Sequence, residues 1–320
     1  MNRRLPRVAS AILVSAAVLG GLSACYVGPA NDDCTPEASS GNASQSVTAR
    51  GALLTEPTVS FPTPLLPGTT QATTLEAGNG EVIHGDQYVS AYLSIFNGTN
   101  GALLDQSDYA GGKPSSFVID NLPIEGLREG LQCAEVGSRV AVVVPGDEAF
   151  ADDSRPAGVS AEDSLVVVVD FKDAYLSRAQ GTAQVAQAGL PSVVLDPSGR
   201  PGITVPADTE PPKDLQVANL IIGDGAKVKD GDAILVNYTG VVWDTGSVFE
   251  SSWENGAPVT LTIADGQTIP GFVDAIKGKK VGDQVLAVIP PDQAYGEQGS
   301  GAVPANATLV FVVDILGIVE

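Results

Sequence analysis

Short apolar runs, each closed by proline, glycine or polar turn residues, recur along the chain. Val285–Ile289 is one such run, and Pro290-Pro291 ends it, a pattern typical of a buried strand. Three further runs carry the β-branched and aromatic residues that strands favour: Ile234–Tyr238, Val259–Ile263 and Thr308–Ile318. Asp244-Thr245-Gly246 predicts a turn between strands. These runs indicate a sheet of short strands in the C-terminal third of the chain.

One short helix is predicted between these strands, starting at Pro270. Proline suits the first helical turn, where a missing N–H costs nothing, and Gly278 suits the end, where a left-handed residue is often needed. Phe272 and Ile276 lie four residues apart and therefore share one face. A strongly bent antiparallel sheet wrapped on one helix, α+β by class, is the expected architecture.

The same pattern occurs twice along the chain. Five segments of the middle region match five C-terminal segments in the same order, with an offset that stays between 144 and 146 residues. The matched pairs are Gly85–Tyr92 with Gly231–Tyr238, Pro123–Leu127 with Thr268–Phe272, Val136–Val140 with Val281–Val285, Pro145–Phe150 with Pro290–Tyr295, and Leu165–Asp170 with Leu309–Asp314. We therefore expect two copies of one domain, at residues 72–178 (the first copy) and 213–320 (the second copy).

Composition and charge exclude several classes of partner. The chain has 320 residues, is 43% hydrophobic and can bury a core in each copy. Its 17 basic and 38 acidic residues give a net charge of −21. Nucleic acid and anionic lipid surfaces both require basic patches, so we expect no nucleic-acid partner and no peripheral binding to lipid through basic residues.

The N-terminus has the features of a secretion signal over residues 1–24. Arg3, Arg4 and Arg7 precede an apolar stretch that is too short to span a membrane. Leu22-Ser23-Ala24-Cys25 resembles the bacterial lipobox, which implies cleavage before Cys25 and attachment of lipid to its thiol. The alternative is a plain signal peptide with an incidental cysteine. With lipid attached, the protein would lie on the extracytoplasmic face of the cell membrane, held by the anchor alone.

Two segments outside the copies are predicted from composition. Residues 25–71 are rich in Ser, Thr, Gly, Asn and Pro and are expected to form a flexible tether. The linker at residues 179–212 contains a possible hairpin that turns at Asp196–Gly199, with apolar residues that suggest packing on a domain. Cys34 and Cys133 can form a disulfide in an oxidising compartment or remain as two free thiols.

The second copy resembles the domain of FKBP-type peptidyl-prolyl isomerases over essentially its whole length. The segments that carry the resemblance are Val236–Gly240, Phe249–Ser252, Ile269–Phe272, Val281-Gly282, Pro291–Gly296 and Ala307–Phe311. With the lipobox, the chain resembles an actinobacterial lipoprotein of this family with two such domains. The resemblance implies a half-barrel sheet around a short helix and cis–trans isomerisation of the peptide bond before proline.

The resemblance also implies the site residues. The catalytic set would be Tyr238, Glu250, Ile269, Phe272, Tyr295 and Phe311, and the further substrate-binding residues would be Phe249, Val259 and Thr268. The Tyr295 hydroxyl and the Ile269 N–H would hold the twisted peptide. Phe272 replaces the tryptophan of well-known members, Val259 replaces an aromatic residue, and Glu250 replaces an aspartate. This chemistry needs no metal and no cofactor, and the single histidine, His84, has no cluster of metal ligands beside it.

The first copy departs from the family set. In the alignment above, Tyr92 matches Tyr238, whereas four other positions differ. They are Leu104 for Phe249, Leu127 for Phe272, Phe150 for Tyr295 and Val167 for Phe311. Phenylalanine cannot donate the hydrogen bond of the tyrosine. We therefore expect this copy to be inactive or very weak, and to act as a spacer, a substrate-holding surface or a partner site.

Three functions remain in competition. The leading hypothesis is an envelope-anchored isomerase that acts on proline-containing unfolded or secreted polypeptides; the resemblance also implies the macrolide inhibitors of the family as ligands. The second is a non-catalytic protein-binding or chaperone module with the same fold. The third is a small-molecule-binding lipoprotein, which the tandem repeat and the absence of a two-lobed α/β pattern count against.

Overall fold

The computed structural model describes residues 26–27, 34–150, 155 and 158–319. The elements before the first copy are β1 Tyr26–Val27, α1 Asn42–Gln45, β2 Thr48–Arg50 and β3 Thr58–Ser60. The first copy contains β4 Gln71–Glu76, β5 Tyr88–Asn97, β6 Leu103–Gln106, β7 Ser115–Val118, α2 Glu125–Leu131, β8 Arg139–Val144, α3 Gly146–Ala149 and β9 Leu165–Ala174. A 3₁₀ turn at Ile119–Asn121 precedes α2.

The linker and the second copy complete the chain. The linker forms β10 Gly181–Ala183, β11 Ser192–Leu195 and β12 Pro201–Thr204. The second copy contains β13 Gln216–Ile222, β14 Ala233–Val242, β15 Val248–Ser251, β16 Val259–Thr262, α4 Pro270–Ile276, β17 Gln284–Ile289 and β18 Leu309–Val319. A 3₁₀ turn at Pro291–Gln293 follows β17.

The two copies build the same sheet. Strand order is β4-β8-β9-β5-β6 in the first copy, with β7 also paired to β5. The second copy repeats it as β13-β17-β18-β14-β15, with β16 paired to β14. Every named strand pair of the described residues is antiparallel. The expected α+β architecture of two half-barrel domains is confirmed.

The short helix closes each core as expected. Helix α4 begins with Pro270 at its first position and is followed by Gly278, whose φ of +84° lies in the left-handed region that glycine tolerates. Phe272 and Ile276 are both buried against the sheet. Helix α2 lies at the same place in the first copy, where Leu127 and Leu131 face the core. The helix therefore forms one wall of the interior in both copies.

The prediction of a flexible tether over residues 25–71 is wrong for residues 34–70. Ala43, Val47 and Leu65 are buried against the outer face of the first sheet, together with the β2–β3 hairpin. Cys34 and Cys133 form a disulfide with their Cα atoms 5.5 Å apart, which ties this segment to the end of α2. The physical reason is that β8 and β9 are apolar on both faces, so the face opposite α2 needs a cover.

The linker covers the second sheet in the same way. Strands β11 and β12 form the predicted hairpin, which turns through Asp196–Gly199. Val193 and Ile203 pack with the outer face of the second sheet, on a cluster that includes Trp243. Strand β10 extends that sheet through β13. Each copy therefore has its outer apolar face covered by the chain segment that precedes it.

Candidate active site

Aromatic side chains of the second copy meet at Phe311, on β18. Its ring centroid lies 5.5 Å from that of Phe249 on β15 and 5.6 Å from that of Phe272 on α4, both edge to face. The Tyr238 ring, on β14, lies 6.1 Å away in a tilted arrangement. Edge-to-face contacts of this length are favourable beyond the area they bury. Four of the residues predicted for the pocket therefore form one aromatic cluster between the sheet and the helix.

Backbone and hydroxyl donors lie at the edge of this cluster. Ile269 precedes α4 in an extended conformation and is buried, and Tyr295 follows the 3₁₀ turn with 37% of its surface exposed. Within the described residues, neither the Ile269 N–H nor the Tyr295 hydroxyl has a hydrogen-bond partner. Buried backbone N–H groups are rarely left unpaired, so the Ile269 N–H is suited to an acceptor from a ligand.

The tyrosine hydroxyls keep their protons over a wide pH range. Burial raises the pKa of Tyr238, and a hydrogen bond with the nearby Glu250 carboxylate raises it further. Burial and the charge of Glu250 also raise the pKa of Tyr295. Glu250 lies on β15, directly after Phe249. Both hydroxyls therefore remain hydrogen-bond donors at neutral pH.

The remaining predicted residues lie at the margin of the cluster. Val259, the first residue of β16, is partly buried against the same core as Phe272. Thr268 is half-buried and precedes Ile269. Val259 presents a smaller apolar surface than an aromatic ring would.

Gly240 is a pocket residue to which sequence reasoning gave no role. It lies on β14 opposite Phe311. A Cβ atom at this position would lie 2.5 Å from Cζ of Phe249, so the ring occupies the space that a side chain would take. The sequence signal was present, because Gly240 ends the Val236–Gly240 motif, but only the strand pairing shows that its missing side chain makes room for Phe249.

Comparison with known proteins decides the family. A sequence profile described as FKBP-type peptidyl-prolyl cis-trans isomerase matches residues 82–172 and 225–316, which together make up more than half of the chain. The chain belongs to this family. It is an isomerase of the FKBP type, with one match in each copy.

Two bacterial relatives agree with the profile. The FK506-binding protein of Streptomyces anulatus is 36% identical over 111 residues, which are 34% of this chain and 90% of that protein. The probable FK506-binding protein of Corynebacterium glutamicum is 37% identical over 117 residues, which are 37% of this chain and 97% of that protein. A crystal structure of the three FKBP domains of wheat FKBP73 is 20% identical, with a TM-score of 0.35, and the match covers 79% of this chain and 95% of that one.

Strand pairing corrects the alignment of the first FKBP copy. Asn237 of β14 faces Asp314, and Tyr92 of β5 faces the matching Asp170, so Tyr92 takes the place of Asn237. The prediction that Tyr92 matches Tyr238 is therefore wrong by one residue. Since neighbouring strand residues point to opposite faces, Tyr92 lies outside the pocket, where its ring stacks on Tyr109 at 5.0 Å.

Aliphatic residues fill the first copy where the second has its aromatic cluster. Leu93, not Tyr92, matches Tyr238, and Ile95 matches Gly240 because it faces Val167 as Gly240 faces Phe311. The other four matches hold in the structure: Leu104, Leu127, Phe150 and Val167 all belong to the first core or pack against it. The Ile95 side chain takes up space that Gly240 leaves to Phe249. The two FKBP copies therefore differ in what their interiors contain, although their strands pair alike.

The site of the second copy can bind a ligand that has an apolar ring next to a carbonyl group. Its walls are aromatic, and its free donors are one backbone N–H and one hydroxyl. Among the described residues, no group of three or more His, Cys, Asp or Glu side chains is arranged to hold a metal ion. Such a site can accept a proline ring and orient the neighbouring peptide group.

Proposed function

We propose that the second copy catalyses the isomerisation and that the first copy does not. The observation that carries this proposal is the aromatic cluster around Phe311, which the first copy replaces with Val167, Leu93 and Ile95. Clients would be unfolded or secreted polypeptides that contain proline. The filled interior of the first copy supports a non-catalytic role for that copy as a spacer or binding surface.

The proposed mechanism lowers the barrier to rotation about the bond before proline. Amide resonance sets this barrier at about 18–20 kcal/mol, and uncatalysed exchange takes on the order of tens to hundreds of seconds. In the apolar pocket, the planar amide with its charge separation is disfavoured relative to the less polar twisted form. The Ile269 N–H and the Tyr295 hydroxyl would hold the twisted peptide by hydrogen bonds. Phe272 would form the floor beneath the proline ring.

Kinetics of the full chain test this assignment. We expect the wild type to accelerate isomerisation of tetrapeptides with varied residues before proline. Tyr295→Phe should lower kcat/KM about tenfold, since it removes one hydrogen-bond donor, and adding Phe272→Ala should lower it further. Phe150→Ala with Leu127→Ala changes the equivalent residues of the first copy and should leave the rate within about twofold, with circular dichroism confirming that both variants fold.

A reversed pattern, in which only the first-copy changes lower the rate, would contradict the assignment. Wild-type protein that is folded but inactive would favour the alternative of a protein-binding or chaperone module.

We also propose that the protein is a lipoprotein of the cell envelope. The signal at residues 1–24 and the lipidated Cys25 lie outside the described residues, so this proposal rests on the sequence. The Cys34–Cys133 disulfide supports it, because structural disulfides persist in oxidising compartments. Within the described residues, no helix is long and apolar enough to cross a membrane. Labelled palmitate should enter the wild type but not Cys25→Ala, which should leave the membrane fraction; equal labelling of both would refute lipidation at Cys25.

Macrolide binding is a further proposal for the same pocket. Two relatives are named FK506-binding proteins, and the four aromatic residues of the cluster around Phe311 offer an apolar surface for such a ligand. Val259 offers less surface than an aromatic residue would. We expect FK506 to inhibit the isomerase activity, with weaker affinity than for a Val259→Phe variant.

A further inference from the structure

The segment at residues 252–258, here called the pocket loop, joins two walls of the proposed active site. It starts directly after β15, which carries Phe249 and Glu250, and ends at Val259, the first residue of β16. A shift of this loop would therefore move three of the predicted pocket residues. What holds it determines how well the pocket is formed before substrate arrives.

The first copy contacts the pocket loop directly. The side chain of Asn121, in the 3₁₀ turn before α2, donates a hydrogen bond from Nδ2 to the Gly256 carbonyl at 2.7 Å. Gly256 has a φ of +71°, so the loop turns sharply at this contact. One copy thus binds the backbone of the other copy beside its proposed site.

The linker hairpin, β11–β12, contacts the loop at its other side. Arg200 Nη2 lies 2.6 Å from Glu254 Oε1. At the tip of the hairpin, Gly199 lies so close to Trp253 that a Cβ atom there would be 3.4 Å from the indole ring. The same hairpin packs on the outer face of the second sheet through Val193 and Ile203, which fixes its position.

A chain of hydrogen bonds also links the loop to the C-terminal end of the first copy. Ser252 Oγ accepts a hydrogen bond from the Tyr238 N–H and donates one to Asn237 Oδ1, both at 2.9 Å. Asn237 Nδ2 in turn donates to the Ser177 carbonyl at 3.4 Å. The start of the pocket loop is therefore connected to both Tyr238 and the end of the first copy.

The equivalent loop of the first copy, residues 107–114, is held by hydrogen bonds to residues of the first copy. Asp108 accepts hydrogen bonds from the Lys113 N–H through its carbonyl and from the Gly111 N–H through its carboxylate. Ser107 Oγ also contacts Ser115 Oγ at 3.0 Å. In the pocket loop, by contrast, the only backbone hydrogen bond within residues 252–258 of the described chain joins Asn255 N–H to the Ser252 carbonyl. The loop of the second copy depends on outside contacts.

We propose that Asn121 and Arg200 are positioning residues for substrate binding. Through them the first copy and the linker hairpin hold the pocket loop in place. The loop in turn keeps Phe249, Glu250 and Val259 in the binding geometry. The proposal rests on the proposed function of the second copy. Each contact is exposed and contributes little alone. Together they act on one short loop, where a small displacement of the walls weakens binding.

The test measures kcat and KM separately in the full chain. Asn121→Ala with Arg200→Ala should raise KM about threefold to tenfold and leave kcat within about twofold. Arg200→Lys alone, with Asn121 unchanged, should have a KM near that of the wild type, because lysine retains the ion pair with Glu254. Lys172→Ala breaks a partly exposed ion pair with Asp173 on the first copy and is the matched control, which should change neither constant.

Hydrogen exchange gives the second readout. Amides of the pocket loop should exchange faster in the double variant, whereas those of β17 should not. An unchanged KM in an active double variant would overturn the inference even if exchange becomes faster, and so would a fall in kcat at constant KM. An inactive wild type would instead refute the proposed function, so the two failures are distinguishable.

Discussion

At the position where the second copy has Gly240, the first copy has Ile95, and the two interiors differ around this point. In the second copy, Phe249 occupies the space above the glycine and contacts Phe311. In the first copy, Val167 replaces Phe311 and Leu104 replaces Phe249. The strands nevertheless pair in the same order. The fold therefore does not depend on the pocket. The pocket requires a residue without a side chain on one strand, Gly240, and an aromatic ring on the neighbouring strand, Phe249, that occupies the space.

The copies also differ in how they treat a buried aspartate of the last strand. Asp170 pairs with Arg139, and both side chains are only 1% exposed. The equivalent Asp314 faces Gln284, a neutral residue. Each aspartate accepts a backbone N–H from the segment outside its copy, Leu54 in one case and Ala179 in the other. The same position thus anchors the covering segment in both copies, with an ion pair in the first and hydrogen bonds alone in the second.

The largest expected effect comes from making the first copy resemble the second at this position. Arg139→Gln leaves the buried Asp170 charge without its partner, and removing one member of a buried pair costs about 3–5 kcal/mol. Calorimetry of the full chain should show the transition of the first copy at lower temperature. Lys172→Ala, which breaks a partly exposed pair, is the control and should cost less than about 1 kcal/mol. If Arg139→Gln lowered the free energy of unfolding by less than about 1 kcal/mol, the ion pair would not account for a difference in stability between the copies.

The stability of the second copy should depend on pH through Asp314. Burial raises the pKa of Asp314 to about 6, although hydrogen bonds from Ala179 and Gln284 oppose the shift. Because the folded state holds this proton more tightly than the unfolded state, the contribution of Asp314 to stability falls as the pH rises from about 4 to 6. Relative to Asp314→Asn, the free energy of unfolding of the wild type should fall by about 2–3 kcal/mol between pH 4 and pH 7.

Urea titrations of both proteins at several pH values measure this difference. Taking the difference cancels the groups that the two proteins share. Parallel pH profiles for wild type and Asp314→Asn would contradict the prediction and would mean that Asp314 is already charged at low pH.

Local patterns explain what the sequence predicts well. Pro270 and Gly278 mark a helix by their backbone restrictions alone, and the apolar run Val285–Ile289 marks a buried strand. The repeat also predicts that whatever fold one copy has, the other shares. The linker hairpin follows from its turn residues at Asp196–Gly199. All of these signals lie within a few residues of the feature that they predict.

Features that depend on contacts between distant parts of the chain were not predicted from the sequence. The polar composition of residues 34–70 suggests a tether, and only the apolar outer face of β8 and β9 explains why this segment packs. The error at Tyr92 arose from a shared Gly-Asp pair. In the structure, Gln87 caps its turn by accepting from the His84 N–H as Asp232 accepts from the Lys229 N–H, so the true offset differs from the Gly-Asp match by one residue. In a strand, one residue is enough to move a side chain to the other face.

The smallest substitution tests the pocket itself. Gly240→Ala places a methyl group where the Phe249 ring lies, so the ring must shift, which disturbs its edge-to-face contact with Phe311. We expect kcat/KM to fall about tenfold, equivalent to about 1.4 kcal/mol, while the second copy stays folded. Ile95→Val, at the equivalent position of the first copy, is the matched control and should leave the rate unchanged. Full activity of Gly240→Ala would mean that the contact between Phe249 and Phe311 is dispensable, and that the loss of activity expected for the first copy must come from Leu93, Leu127 or Phe150 instead.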